Sequence, residues 1–162
     1  MMITKREATI DDVALLTALI KELAVYDKLG DEASVIEDDI LRDGFGTVPR
    51  FRAAIAREGD AVAGYVLFFP FYSSFQGRAG LFLDDIYVRE AFRGKGVGDA
   101  LLGHVAKTAL HEEYFCVRCE MLDWNQLGID FYAHAGAVFL EEWKAALLIG
   151  ESLVSAADKA PK

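Results

Sequence analysis

Apolar residues recur at helical spacing near the start of the chain. Thr9-Ile-Asp-Asp12 is typical of an N-cap followed by an acid three residues on. The positions that follow predict one long helix, with apolar side chains at Val13, Leu16, Leu19, Ile20, Leu23 and Tyr26. A shorter, more acidic helix is predicted over residues 35–42, ending at Gly44 as a left-handed cap. A short strand over residues 5–8 is expected before both helices.

The middle of the chain changes to strand patterning. Residues 51–57 and 61–72 are rich in β-branched and aromatic side chains, and Glu58-Gly-Asp60 between them is typical of a hairpin turn. Residues 81–88 predict a third long strand. Helical spacing returns over 96–112, and its start lies inside a group of glycines. The remaining predicted elements are a strand at 115–122, a helix at 127–134 and a terminal strand pair within 138–149.

The order of these elements, β-α-α-β-β-β-α-β-α-β-β, indicates the fold class. Strands come first as a meander and later alternate with helices, so we expect an α/β protein of the α+β kind, with helices packed on a mixed sheet. The chain has 162 residues, which suits one domain. We expect that domain to span residues 1–150, and residues 151–162 to form a loose tail.

Charge narrows the class of partner. The 17 Lys and Arg residues against 26 Asp and Glu give a net charge of -9, which opposes attraction to a phosphate backbone. No nucleic-acid partner is therefore expected, and cationic small molecules are favoured. The N-terminus has no apolar signal region, and the longest apolar run, 61–72, is interrupted by Gly64 and Pro70. We expect a cytoplasmic protein without a membrane partner.

The two cysteines do not predict a metal site. Cys116 and Cys119 lie in a predicted strand, where side chains three residues apart point to opposite faces. No second Cys or His pair completes a zinc ligand set. We therefore expect structural cysteines and no bound metal.

The segment Arg93-Gly-Lys-Gly-Val-Gly98 opens a predicted helix shortly after a strand. Glycines allow several backbone N–H groups to point the same way, and a helix N-terminus adds a positive end, so the segment suits a phosphate or pyrophosphate. It fits neither the dinucleotide fingerprint nor the Walker loop. The pattern that it does contain is R-x-x-G-x-G, and on spacing alone a loop that binds nothing remains an alternative.

With these residues in view, the chain resembles the GNAT acyltransferases. The R-x-x-G-x-G loop after Leu83-Asp-Asp-Ile-Tyr-Val88 is similar to their acetyl-CoA pyrophosphate loop. The broader match resembles the spermidine/spermine and thialysine acetyltransferase branch over residues 3–149. It is carried by Ile20-Lys-Glu-Leu-Ala24 with Tyr26, Asp43-Gly-Phe-Gly46, Trp124-Asn125, and Phe131-Tyr132 before Gly136-Ala137.

The resemblance implies a fold, an activity and an assembly. The GNAT fold has a mixed sheet of about six or seven strands with about four flanking helices. The implied activity is direct acetyl transfer from acetyl-CoA, as cosubstrate, to a primary amine of a small cationic acceptor such as a polyamine, a diamine or thialysine. The implied assembly is a homodimer to which the last strands contribute.

The same resemblance implies roles for individual residues. Backbone N–H groups of the glycine loop hold the pyrophosphate, and the strand around Tyr87 pairs with the pantetheine and donates to the acetyl oxygen. Tyr132 matches a tyrosine near the thioester sulfur and is our choice of general acid. The implied cofactor-binding residues are Ile86, Tyr87, Val88, Arg93, Gly94, Lys95, Gly96, Val97, Gly98, Asn125 and Tyr132.

Two adjacent carboxylates in an apolar strand are costly unless they are paired, hydrated or used. Asp84 matches a family glutamate that accepts the amine proton, but its side chain is one methylene shorter. Asp85 is assigned to the cationic tail of the acceptor, or to the dimer-facing side. Successive strand residues face opposite ways unless a bulge intervenes, so the two roles can be exchanged. Tyr26 and Asp27 complete the expected acceptor-binding set.

Two segments depart from the family pattern. Ala133-His-Ala135 replaces the basic residues that commonly follow the Phe-Tyr pair, so Arg93 and Lys95 are left to contact the CoA phosphates. Residues 72–78 look more like the broader diamine and thialysine group than the polyamine-specific members. Two other functions stay open at this point: a non-catalytic acetyl-CoA or CoA sensor, and an acidic interaction domain.

Overall fold

The computed structural model describes residues 2–161. Within them lie a five-stranded sheet, five α-helices and three short 3-10 turns. The strands are β1 (Ile3–Glu7), β2 (Arg52–Glu58), β3 (Ala61–Ser73), β4 (Arg78–Val88) and β5 (Val117–Cys119). The α-helices are α1 (Val13–Tyr26), α2 (Glu37–Phe45), α3 (Val97–His111), α4 (Gln126–His134) and α5 (Glu151–Ala157).

The sheet is mixed, as the order of elements predicts. Strands β1 to β4 are antiparallel neighbours in chain order, and β5 runs parallel to β4. Helix α3 supplies the crossover between β4 and β5. The expected fold class is therefore confirmed.

Period-two alternation in the strands divides the core between the two faces of the sheet. On one face, α1 and α2 cover a cluster that includes Leu16, Leu19 and Tyr65. On the other, α3 covers a cluster that includes Phe68 and Leu101. Each fully buried leucine contributes about 2 kcal/mol through removal of apolar surface from water. The sheet is therefore fixed from both sides, which holds its strand ends in place.

An ion pair fixes the entry to α1. Arg6 on β1 donates two hydrogen bonds to the Asp12 carboxylate, at 2.6 and 2.8 Å. The same carboxylate accepts a bond from the backbone N–H of Thr9 at 2.8 Å. These bonds, with the Arg6 hydrogen bond the largest contribution, lower the pKa of Asp12 from its ordinary value of 3.8 to about 2. Asp12, three residues after Thr9, therefore accepts a bond from the backbone of the N-cap residue, as the sequence pattern predicts.

The prediction of a terminal strand pair over 138–149 is wrong. No described residue of that segment is in a strand, and its apolar side chains are exposed, with Val138 at 85% and Trp143 at 62% exposure. An apolar pattern favours extended backbone, but a strand forms only where a partner edge accepts its hydrogen bonds. The described sheet therefore has five strands and not six or seven.

Two boundaries also differ from expectation. Helix α2 passes through Gly44 to Phe45, and Gly44 packs against the Phe51 ring, where a Cβ would lie 2.7 Å from Cζ. The expected loose tail contains α5, whose residues are all exposed.

The chain divides between Asn125 and Gln126 into two compact units. The sheet and helices α1 to α3 form the first unit, and α4 and α5 lie in the second. The single domain over 1–150 stays a prediction. None of the helices within residues 2–161 is both long enough and apolar enough to span a bilayer.

We predict that Asp12→Asn lowers the free energy of unfolding at pH 7 by about 1 to 2 kcal/mol. The expected loss is this small because Arg6 is half-exposed and solvent screens its charge. A depressed pKa stabilises the fold above the unfolded value of 3.8 and loses that contribution as the pH falls towards 2. Urea unfolding at pH 7 and pH 3 should therefore show a smaller difference between parent and variant at pH 3. The exposed neighbour variant Asp11→Asn is the control, and an equal difference at both pH values would contradict the prediction.

Candidate active site

Strands β4 and β5 pair along only part of β4. Their pairing covers only Leu81 to Leu83 on β4, whereas β4 continues to Val88 alongside β3. Among the described residues, no strand pairs with β4 beyond Leu83 on the β5 side. This leaves a strand edge whose backbone groups can bind an extended, amide-containing ligand.

The other side of the same segment is held tightly by β3. At Gly64 a Cβ would lie 2.1 Å from the carbonyl oxygen of Tyr87, so only glycine permits this approach. Immediately beyond β4, Arg89 donates a backbone bond to Ala63 at 2.9 Å. Its guanidinium binds both carboxylate oxygens of Glu22 on α1, at 2.6 and 2.8 Å. The unpaired edge is therefore rigid on its inner side.

This edge leads into the glycine loop. Gly94 and Gly96 have φ values of 70° and 81°, a left-handed conformation that favours glycine. Gly96 is the N-cap of α3, and no side chain caps that end. The first N–H groups of an α-helix have no acceptor within the helix. A Cβ built at Gly94 or Gly96 would meet no atom within 4 Å, so the loop surface is open and suits an anion.

The two cations of this loop already have protein partners. Arg93 donates to the carbonyl of Val88 at 3.0 Å, and its guanidinium lies 4.7 Å from the centre of the Tyr26 ring. Lys95 pairs with Glu58 at 3.2 Å, and its side chain is 46% exposed. These contacts hold the loop against β4, α1 and β2.

Tyr26 connects the end of α1 to the segment that follows β5. Its hydroxyl donates to Asn125 Oδ1 at 3.2 Å, and its ring lies 6.4 Å from that of Trp124. The Lys28 ammonium lies 4.3 Å from the centre of the Trp124 ring, at the distance of a cation–π contact. The structure therefore brings together three predicted site residues, Tyr26, Arg93 and Asn125. Lys28 was not among the predicted residues.

The two adjacent aspartates lie at a β-bulge. Leu67 on β3 is opposite Asp85, but the next residue, Phe68, is opposite Leu83, so Asp84 is an extra residue without an opposite. Asp84 is exposed and Asp85 is partly buried. Burial first, and then the charge of Glu120, raises the pKa of Asp84.

Asp85 has the more unusual environment. Burial, together with the charges of Asp84 and Asp27, raises its pKa from 3.8 to about 6. Its Oδ2 accepts a hydrogen bond of 2.8 Å from the hydroxyl of Tyr65, which opposes that rise. Burial also raises the pKa of Asp27. Asp27, Asp84 and Asp85 thus form a group of carboxylates that favours a cationic ligand.

Tyr132 lies in α4 and belongs to the second unit. It is 6% exposed, and its ring lies 5.2 Å from that of Phe131 in an edge-on contact. A phenolic hydroxyl can donate a proton, as a general acid requires. Its role as general acid stays a prediction.

Sequence reasoning missed Tyr65. A tyrosine in an apolar strand carries a hydroxyl that needs a partner once it is buried, and this was the available signal. The identity of that partner depends on the register between β3 and β4, including the bulge, and local sequence does not set that register.

Comparisons with known proteins agree with this geometry. The Acetyltransferase (GNAT) family matches residues 16–137. The thialysine N-epsilon-acetyltransferase of Bos taurus is 35% identical over 165 residues, covering 95% of this chain and 96% of the relative. A human spermidine/spermine N(1)-acetyltransferase-like protein 1 is 32% identical over 142 residues, covering 83% of this chain and 20% of that protein.

Solved structures show the same fold. An integron cassette protein from V. cholerae superposes with a TM-score of 0.81 at 22% identity, covering 98% of this chain and 99% of its own. The family match covers more than half of the sequence, and the bovine relative is similar over nearly its whole length. The chain belongs to the GNAT acetyltransferase family, in the branch that resembles the thialysine and spermidine/spermine acetyltransferases.

Proposed function

We propose that this protein transfers the acetyl group of acetyl-CoA to a primary amine of a small cationic acceptor, such as a diamine, a polyamine or a lysine analogue. The observation that carries the proposal is the continuous surface formed by the unpaired β4 edge and the glycine loop at the start of α3. This surface offers backbone groups first to an extended chain and then to an anion, in the order in which pantetheine and pyrophosphate occur in CoA.

The residues of the first unit fit acetyl-CoA. The N–H groups of Gly94 to Gly98 would hold the pyrophosphate, and the edge formed by Ile86, Tyr87 and Val88 would pair with the pantetheine amides. Arg93 and Lys95 would contact phosphates, and Asn125 would contact the cofactor beside Tyr26. When bound, the cosubstrate supplies a thioester carbonyl that is open to attack by an amine.

The carboxylates bind the acceptor. Asp84 and Asp27 each raise the pKa of Asp85, which shows that these charges repel one another. A bound ammonium relieves that repulsion, and an acceptor with two positive charges relieves more of it. Tyr26, directly before Asp27 and in tilted ring contact with Trp124, lines the same end of α1. The group therefore favours diamines over monoamines.

Acetyl transfer needs a neutral nitrogen and a proton for the departing sulfur. An aspartate of the β4 pair takes a proton from the ammonium, and backbone N–H groups near Tyr87 stabilise the developing oxyanion. Tyr132 gives its phenolic proton to the thiolate as the C–S bond breaks. The acid and the base are thus different groups.

The second unit and the cysteines support two narrower proposals. The exposed apolar side chains of 138–149 suit a second copy of the chain, so the enzyme works as a homodimer. Cys116 forms no disulfide, which suits a location in the reducing cytoplasm.

The first test is binding followed by turnover. We predict that saturating acetyl-CoA raises the melting temperature by several degrees, since a ligand at 100 times its Kd adds about 2.7 kcal/mol. Gly96→Val should remove this shift, because the substitution strains the left-handed N-cap. Gly103→Ala, inside α3 and also in open space, is the matched control and should keep the shift. Thiol release with a panel of amines then separates an enzyme from a CoA sensor, and an unmodified protein without a shift or thiol release would contradict the proposal.

For Tyr132→Phe we predict a loss of turnover of about 10- to 10⁴-fold with unchanged acetyl-CoA affinity, because only a proton donor is removed. Turnover is measured at saturating acetyl-CoA, and affinity is measured by calorimetry. Tyr114→Phe, which removes a hydroxyl just beyond α3, should match the parent. Parent-like turnover of Tyr132→Phe at every pH would place the proton donor elsewhere.

Acceptor charge is tested at Asp27. Asp27→Asn should raise KM for a diamine by about 3- to 30-fold more than for a monoamine of equal length, because one of three carboxylates loses its charge. The diamine preference of the parent should weaken in high salt. Asp31→Asn makes the same change in net charge at an exposed position and should have no effect. Equal KM changes for both amines would rule out charge recognition by Asp27.

A further inference from the structure

We propose that Asp85 is the carboxylate that takes the ammonium proton, and that Tyr65 is the positioning residue that holds it for this task. This inference rests on the proposed function and deepens it. It exchanges the roles that sequence resemblance gives to the two aspartates.

The bulge changes the direction in which side chains of β4 point. Leu81 and Leu83 belong to the core cluster under α3. Regular alternation would place Asp85 on that same face. The extra residue at Asp84 reverses the alternation, so Asp85 lies opposite Leu67, which belongs to the cluster under α1. The bulge therefore moves the Asp85 carboxylate to the face of the sheet where α1 ends at Asp27.

Tyr65 has a fixed position in the core. Its side chain is fully buried, and it lies in the same core cluster as Leu16 and Leu19. Its ring lies 6.4 Å from that of Tyr87, its directly opposite neighbour on β4. A ring held in this way has one direction for its hydroxyl, and that hydroxyl donates to Asp85 Oδ2 at 2.8 Å. Asp85 therefore has one fixed oxygen, and the proton is taken at the other, Oδ1.

The groups around Asp85 act on its pKa in opposite directions. The groups that act on it are Tyr65 from β3, Asp84 on its own strand and Asp27 from the end of α1. The two carboxylates and burial raise its pKa, and the Tyr65 hydrogen bond lowers it. The resulting pKa of about 6 leaves a carboxylate that is ionised at neutral pH. This carboxylate is a stronger base than an ordinary aspartate. Asp84 is exposed and has no comparable hydrogen-bond donor among the contacts of the described chain.

The ammonium of the acceptor gives one proton to Asp85 Oδ1 and becomes a neutral amine. Its nitrogen forms the new C–N bond as the C–S bond breaks, and the thiolate takes the phenolic proton of Tyr132. The nitrogen then loses its second proton to solvent, solvent restores the phenolic proton of Tyr132, and Asp85 returns its proton to solvent.

The test is the pH profile of kcat/KM from pH 5 to 9, with one diamine and four single variants. The parent should lose activity below about pH 6, where Asp85 becomes protonated. Tyr65→Phe removes a bond to the ionised carboxylate, so its acidic limb should move up by about 0.5 to 1 pH unit. Asp85→Asn should abolish the limb, with activity recovering in alkali as the amine deprotonates by itself. Asp84→Asn should keep the limb.

Two further measurements separate positioning from general damage to the fold. Tyr72→Phe removes a hydroxyl from an exposed residue of the same strand and should match the parent profile. The double variant Tyr65→Phe with Asp85→Asn should be no slower than Asp85→Asn alone, because both changes act through one carboxylate. Carbon NMR titration of the Asp85 carboxyl should show a higher pKa in Tyr65→Phe than in the parent, and this readout does not depend on activity.

The outcomes decide the inference separately from the proposed function. An active parent whose profile is unchanged by Tyr65→Phe, or whose acidic limb is lost in Asp84→Asn and kept in Asp85→Asn, overturns the inference and leaves the acetyltransferase intact. A parent that releases no thiol with any amine overturns the proposed function, and the proton-accepting role of Asp85 with it.

Discussion

The arrangement of the site depends on one asymmetry in hydrogen bonding along β4. Up to Leu83 the strand is bonded on both sides, and beyond Leu83 it is bonded to β3 alone. The close approach at Gly64 and the Arg89–Glu22 ion pair hold this one-sided segment against β3 and α1. A ligand can therefore act as the missing strand, and the glycine loop begins where that strand would end.

The sequence predicted the parts of this arrangement that depend on local chemistry. The helical spacing of α1, the hairpin at Gly59 and the glycine loop before α3 all follow from residues close together in the chain. The loop could be interpreted because left-handed glycines at a helix start leave backbone N–H groups open to an anion.

Features that depend on distant residues could not be predicted in the same way. The faces of Asp84 and Asp85 are set by a bulge in the pairing with β3, and period-two reasoning past that point gives the opposite result. The hydrogen bond from Tyr65 to Asp85 could not be predicted for the same reason. The expected strands within 138–149 failed because an apolar pattern does not state whether a partner edge is present.

The contacts of Arg93 and Lys95 have a consequence for the ionic-strength dependence of cofactor affinity. Arg93 and Lys95 are engaged with Val88, Tyr26 and Glu58 before any phosphate arrives. A phosphate that recruits Lys95 exchanges one anionic partner for another, and the net Coulomb gain is only the difference between the two pairs. Added salt weakens both pairs, so its effects partly cancel. Affinity for CoA should then depend less steeply on salt than the number of phosphates would suggest, and most of the binding energy should come from uncharged backbone groups.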